Sequence, residues 1–246
     1  MRLTIGSATT LLFCTLPLAA LPACNQTRSA DQTRPAVATK PAGAVERNFA
    51  RWEKEIAAYE AMDRTDHPRT GGVLFIGSST IRRWKTLEQD FPEHRVINRG
   101  FGGSHIVDST HFAERIIFPY EPRMIFLRAG GNDINAGKSP EQVLADYQAF
   151  VAKVHGRLPK TRIVYISISP SPSGWAKRDS FKALNALIER YSRERPYLQY
   201  LETFDMVLGP DGLPRDELYV ADKLHLNAEG YRLLADRVRP LLPKSC

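Results

Sequence analysis

The sequence predicts an α/β fold, a parallel sheet with helices on both faces, and three observations carry that expectation. Short apolar runs near residues 73–77, 95–98, 124–128, 162–168 and 198–202 alternate with amphipathic segments of helical period. Each run is followed by loop or helix signals. The run "RIVYISIS" is apolar and β-branched enough for burial on both sides, as a central parallel strand requires.

The chain has 246 residues, enough for one domain with a substantial core once its ends are set aside. Residues 1–24 begin with a single Arg, continue apolar and finish in small residues before Cys24, which resembles a secretory signal. The ending Leu21-Pro22-Ala23-Cys24 resembles a bacterial lipobox, with Pro22 atypical at its place, so Cys24 is the expected lipidation site and the cell envelope the expected location. Simple secretion and a retained anchor are the alternatives. Residues 25–44 are polar, rich in Ala, Thr and Pro and without apolar period, and read as a disordered tether before a domain spanning 45–246.

A helix opens that domain, because Val45, Phe49, Trp52, Ile56 and Tyr59 recur at spacings of four and three to make one apolar stripe. Further along, Ser139-Pro140-Glu141-Gln142 combines a cap, a proline at the first helical position and a Gln three after the cap, ahead of the face Val143, Tyr147, Phe150 and Val154. Phe181, Leu184, Ile188 and Tyr191 form another face. Tyr231, Leu234, Val238 and Leu241 form the last, behind Asn227 as a cap.

The net charge of +7 arises from 34 basic and 27 acidic residues scattered without a dense Lys/Arg block, so no nucleic-acid partner is expected. Of three cysteines, Cys14 falls inside the signal-like segment and Cys24 and Cys246 lie at opposite ends, which builds neither a disulfide framework nor a zinc site. No metal or organic cofactor is expected.

In an open parallel sheet, ligands bind beyond the carboxyl ends of the strands, so polar clusters after strands are the candidates. There are four: Gly77-Ser78-Ser79, "NRGFGGSH" at 98–105, "RAGGNDIN" at 128–135 and "DKLHLN" at 222–227. A serine between strand and helix has an exposed hydroxyl and an outward N–H, although serine there is also a routine cap. A serine needs a base, usually a histidine held in one tautomer by a carboxylate, and Asp222-Lys223-Leu224-His225 supplies both. Oxyanion donors, each contributing roughly 3 kcal/mol, could come from the glycine loop at 100–103 and the Asn132 amide, where a turn glycine and a capping asparagine are the plainer readings.

Together and in this order, the four clusters resemble the SGNH hydrolases, the group that includes the GDSL esterases and lipases. Ser79 stands at the nucleophile, Gly103 at the glycine of the second block, Asn132 at the asparagine of the third, and Asp222 with His225 at the Asp-x-x-His block. The resemblance spans about residues 73–243. Ser78 replaces the usual Asp of Gly-Asp-Ser, a departure that leaves the reacting groups intact. The resemblance implies a three-layer α/β/α sandwich with a five-stranded, flavodoxin-like parallel sheet. It also implies ester hydrolysis through an acyl-serine intermediate, with an oxyanion hole from the Ser79 N–H, the Gly103 N–H and the Asn132 side chain.

The expected substrate is a small-molecule, lipid or glycan ester, with lysophospholipids and O-acetylated polysaccharide among the options. Trp175, Arg99 and Arg128 are candidate pocket residues, against the readings of packing for the aromatic and solvated or ion-paired arginines for the others. An inactive glycan- or lipid-binding module and a structural envelope lipoprotein are the contrasting expectations. The sequence sets no oligomeric state.

Overall fold

A computed structural model describes residues 47–243. The signal-like segment 1–24 with Cys24, the tether 25–44, Val45 and Cys246 lie outside the described residues.

A 3-10 turn, Phe49–Trp52, capped by Asn48, leads into helix α1, Glu53–Thr65. Strand β1, Val73–Gly77, is followed by the short helices α2, Ser79–Arg82, and α3, Leu87–Asp90. Strand β2, Val96–Gly100, leads to α4, Ile106–His111, and α5, Ala113–Ile116. Then come β3, Met124–Arg128, α6, Gly131–Asn135, and α7, Pro140–Arg157. The chain closes with β4, Arg162–Ile166, α8, Arg178–Arg193, β5, Leu198–Leu201, and α9, Ala228–Val238. The five strands form one parallel sheet in the order β2-β1-β3-β4-β5, so every strand points its carboxyl end to the same edge.

Side-chain alternation along the strands builds two separate cores. Leu74, Ile76, Ile125, Leu127, Ile163 and Tyr165 face one layer, packed with Ile56 of α1 and the α7 and α8 stripes. Val73, Phe75, Met124, Phe126, Val164 and Ile166 face the other, against Trp84, Phe91 and the α9 residues Leu234 and Val238. This is the three-layer α/β/α arrangement: β1 and β3 are buried on both faces, while Gln199 and Tyr200 of edge strand β5 are half-buried. The α7 cap is the reciprocal one expected: the Gln142 N–H donates to Ser139 Oγ at 3.3 Å and the Ser139 N–H to Gln142 Oε1 at 2.8 Å.

Three strands depart from the sequence expectation, β5 by stopping at Leu201 rather than residue 202. β2 runs later, to Gly100, pairing with β1 through Gly77. β4 stops at Ile166 rather than residue 168, because the Asn185 side chain takes over the pairing: Ile168 N–H donates to Asn185 Oδ1 and Asn185 Nδ2 donates to the Ile168 carbonyl, both at 2.9 Å. A side chain that satisfies both backbone groups of Ile168 frees the chain to leave the sheet without an orphaned polar group.

Phe75 lies at the centre of the second core, stacked on Phe126 at 4.7 Å and flanked by Phe91 and Trp84. Phe75→Ala is expected to cost about 3–5 kcal/mol, the range for removing a buried phenylalanine. Denaturant unfolding of the two proteins checks it.

Candidate active site

The site begins where β1 and β3 end together. Gly77 sits at φ 135°, and a Cβ there would lie 2.1 Å from the Arg128 carbonyl oxygen, so only glycine allows this approach. Ser78 stays extended and its carbonyl accepts the Ile81 and Arg82 N–H groups, which starts α2 with Ser79 as its first residue. Ser79 is not a cap: its Oγ lies 3.0 Å from His225 Nε2. The Ser79 N–H has no backbone acceptor among the described residues.

His225 comes from the loop between a 3-10 turn, Asp216–Leu218, and α9. Asp222 organises that loop. Its Oδ1 accepts the Leu224 and His225 N–H groups at 2.9 Å each, and its Oδ2 meets His225 Nδ1 at 2.7 Å. Lys223 takes the left-handed conformation, φ 55°, that folds the turn back far enough for these bonds. The loop is closed on itself by the Val220 N–H to His225 carbonyl bond and fastened to the rest of the molecule by Ser173, which donates from both N–H and Oγ to the Lys223 carbonyl. On α9 the Tyr231 hydroxyl donates to the Thr80 carbonyl at 2.8 Å, which ties that helix to α2.

Asn132 enters from α6, after Gly130 at φ 121°. Its Nδ2 donates to the Ser104 carbonyl at 3.0 Å, leaving the second amide hydrogen free of that bond. Gly103, one residue earlier, has φ 70° and an N–H without a backbone acceptor among the described residues. Behind Asn132, buried Asp133 lies 3.3 Å from His105 Nδ1 and 3.0 Å from Lys138 Nζ.

Ser79, Asn132 and His225 open on one pocket of about 90 Å³, well under the several hundred Å³ typical of sites for drug-sized ligands. Its walls include Ile168, Phe181, Tyr219 and Leu226, none of which the sequence marks as a pocket residue. Arg128 also lines it, buried and bonded to neutral oxygens only: the Ser167 carbonyl, Thr203 Oγ1 and Ser169 Oγ. Burial lowers the pKa of this guanidinium. Gly103 is adjacent through Ser104 but does not line the cavity.

Two candidate pocket residues lie elsewhere. Arg99 points into the opposite layer, where it pairs with Asp63 and donates to the Tyr120 hydroxyl at 2.6 Å. An arginine in mid-strand has its face fixed by β-alternation, and this one is an ion-paired structural residue. Trp175 is half-buried in a 3-10 turn with Arg178 over its ring at 5.0 Å, while its neighbour Gly174 reaches the cavity wall. Among the described residues no group of three or more His, Cys, Asp or Glu side chains is arranged to hold a metal ion.

A hydroxyl, an imidazole and a carboxylate bonded in series beyond a parallel sheet are the equipment of acyl transfer, and the chain is a hydrolase acting on ester bonds. It belongs to the GDSL-like lipase/acylhydrolase family, whose model matches residues 71–233. No curated protein sequence matches the chain significantly. Among solved structures it is similar to a protein from Streptococcus pneumonia described as a platelet activating factor, at 20% identity over 79% of this chain and 94% of that one, with TM-score 0.70. A GDSL-like lipase from Bacteroides thetaiotaomicron is similar at 20% identity over 79% and 96%, TM-score 0.61. A variant of an acetyl-xylooligosaccharide esterase from Geobacillus Stearmophilus is similar at 16% identity over 72% and 97%, TM-score 0.57. At these identities the likeness is one of fold.

The Asp222 carboxyl is held well below the usual carboxylate range, first by the His225 N–H, then by the imidazole and the Leu224 N–H. A depressed folded-state value means that its hold on the loop is complete above the unfolded value, about 3.9, and is lost only as pH falls through the lower folded value. The side-chain carboxyl ¹³C shift of Asp222 is therefore expected to titrate below those of the exposed aspartates in an NMR series. Titration among them contradicts this.

Proposed function

We propose that Ser79 is the nucleophile of a serine esterase, with His225 as its general base and Asp222 holding the imidazole. The observation that carries this reading is the continuous series Ser79 Oγ, His225 Nε2, His225 Nδ1, Asp222 Oδ2, at 3.0 Å and 2.7 Å. With Nδ1 donating to the carboxylate, Nε2 is left unprotonated to accept the Ser79 proton as Oγ attacks the ester carbonyl. The imidazolium then protonates the departing alcohol. Water, deprotonated by the same nitrogen, attacks the acyl-serine, releases the carboxylic acid and returns the proton to Ser79. The oxyanion is received by the Ser79 and Gly103 N–H groups and the free Asn132 amide hydrogen.

The cavity of about 90 Å³ favours a small acyl group, acetyl or its near homologues, on a sugar or other polar alcohol. The half-polar walls, which include Ser169 and Arg128 as well as Ile168 and Phe181, fit such an ester better than a long hydrocarbon chain. A lysophospholipid is the second reading. It is favoured by Leu224 and Val220, 48% and 37% exposed on the Asp222–His225 loop, where an apolar surface could meet lipid.

Assaying the purified protein against esters graded from acetyl to dodecanoyl, with acetylated xylo-oligosaccharide and lysophosphatidylcholine alongside, separates the two. Activity is expected to peak at the shortest acyl groups. Ser79→Ala is expected to lower kcat by roughly 10⁴-fold or more while leaving the unfolding midpoint unchanged; retained turnover removes the assignment.

We also place the enzyme in the cell envelope, anchored through Cys24, on the composition of residues 1–24. Cys24→Ser is expected to move it from the membrane to the soluble fraction on cell fractionation. An unchanged distribution refutes the anchor.

A further inference from the structure

Residues 47–59 precede the matched family region, 71–233, yet they bond repeatedly to the loop that carries Gly103. The Tyr59 hydroxyl donates to the Gly100 carbonyl. Trp52 Nε1 donates to the Gly102 carbonyl at 2.9 Å, and its ring meets Phe101 edge-on at 6.0 Å. The Arg51 guanidinium, over the Trp52 ring at 4.3 Å, lies 3.5 Å from where a Gly103 Cβ would be. Arg47 grips both carboxylate oxygens of Asp108, which is fully buried, and Asp108 in turn accepts the His105 N–H at 2.7 Å. Phe49 stacks on His111 at 3.8 Å, closing the same edge of α4.

These contacts bracket Gly103. Gly100 and Gly102 are held on its N-terminal side, and His105 is held on its C-terminal side through Asp108. A loop with three glycines in four positions, one at positive φ, has little conformational preference of its own. Asn132 fastens only the Ser104 carbonyl. Ser104 Oγ donates to the Phe101 carbonyl and the Phe101 N–H to the Gly77 carbonyl, but neither bond reaches the Gly102 carbonyl, which Trp52 holds, while Tyr59 holds the Gly100 carbonyl and Arg47 acts through Asp108.

We propose that the segment Arg47–Tyr59 is a strap that positions the oxyanion loop, with Trp52, Arg47 and Tyr59 as positioning residues for the reaction at Ser79. The inference rests on the reading of Ser79 as nucleophile and of Gly103 as an oxyanion donor. The strap touches neither the acyl pocket nor His225, so its loss acts on stabilisation of the transition state and not on substrate binding. The Gly102 carbonyl held by Trp52 shares one peptide plane with the Gly103 N–H, and the Gly100 carbonyl held by Tyr59 lies two planes before it; a displacement of about 1 Å in such a donor lowers rates by roughly 100-fold.

Trp52→Phe tests this, because it keeps an aromatic ring against Phe101 and removes only the N–H that holds the Gly102 carbonyl. Expected is a fall in kcat of roughly 10- to 100-fold on a neutral acetyl ester with KM within about twofold. The rate of phosphonylation of Ser79 by a phosphonate ester, which draws on the same oxyanion donors, should fall in parallel. Arg47→Lys, which keeps a cation on Asp108, is expected to retain much more kcat than Arg47→Met. An unchanged kcat in Trp52→Phe, a rise in KM that accounts for the loss, or equal kcat in the two Arg47 variants overturns the strap. Activity of wild type no greater than that of Ser79→Ala on the same ester overturns the nucleophile assignment instead, so the two failures are distinguishable.

Discussion

The contact between Gly77 and the Arg128 carbonyl sets where the side chains of the candidate site stand. A Cβ at residue 77 would stand 2.1 Å from that oxygen, so the two central strands can finish level with one another only because residue 77 has no side chain. Ser79 follows directly from one of those ends and Asn132 from the other. The sheet then aligns the remaining ends with them, since parallel strands deliver every following loop to a single edge. Hydroxyl, amide and imidazole meet without any one loop having to travel far.

Two kinds of fastening hold the arrangement. Around the base, a compact turn is locked by one carboxylate that takes two backbone N–H groups and the imidazole. Charge-assisted bonds of this kind are the strong ones, and they explain how a loop with an exposed Asp222 keeps a fixed shape. Around the glycine loop, by contrast, the fastenings are carbonyls held by donors from a helix of a different layer. The His225 imidazole is organised locally and the glycine loop remotely.

That contrast explains which parts were legible in the sequence. The β1 and β3 limits, the α7 capping box and the Asp222–His225 pair all depend on neighbours within a few positions, and each could be read directly. The early end of β4 could not, because Asn185 on a later helix supplies its partner bonds. Arg99 lies within a strand-end cluster and suggests a pocket residue, but its place in the pleat turns it to Asp63 and Tyr120. The pocket walls Ile168, Phe181 and Tyr219 come from three separate segments, each with ordinary core-like residues, and only their convergence makes a cavity. The strap was read as an apolar stripe and nothing more. Its acceptors are backbone carbonyls, which every residue possesses, so no residue type announces where an indole or phenol will donate.

The separation between Ser79 and His225 along the chain, 146 positions, has a bearing on biogenesis. During synthesis the hydroxyl emerges early and the imidazole almost last, and the Tyr231 to Thr80 bond that seats the final helix spans 151 positions. An unfinished polypeptide thus carries the hydroxyl without the imidazole that faces it, and the two come together only once the last helix is in place.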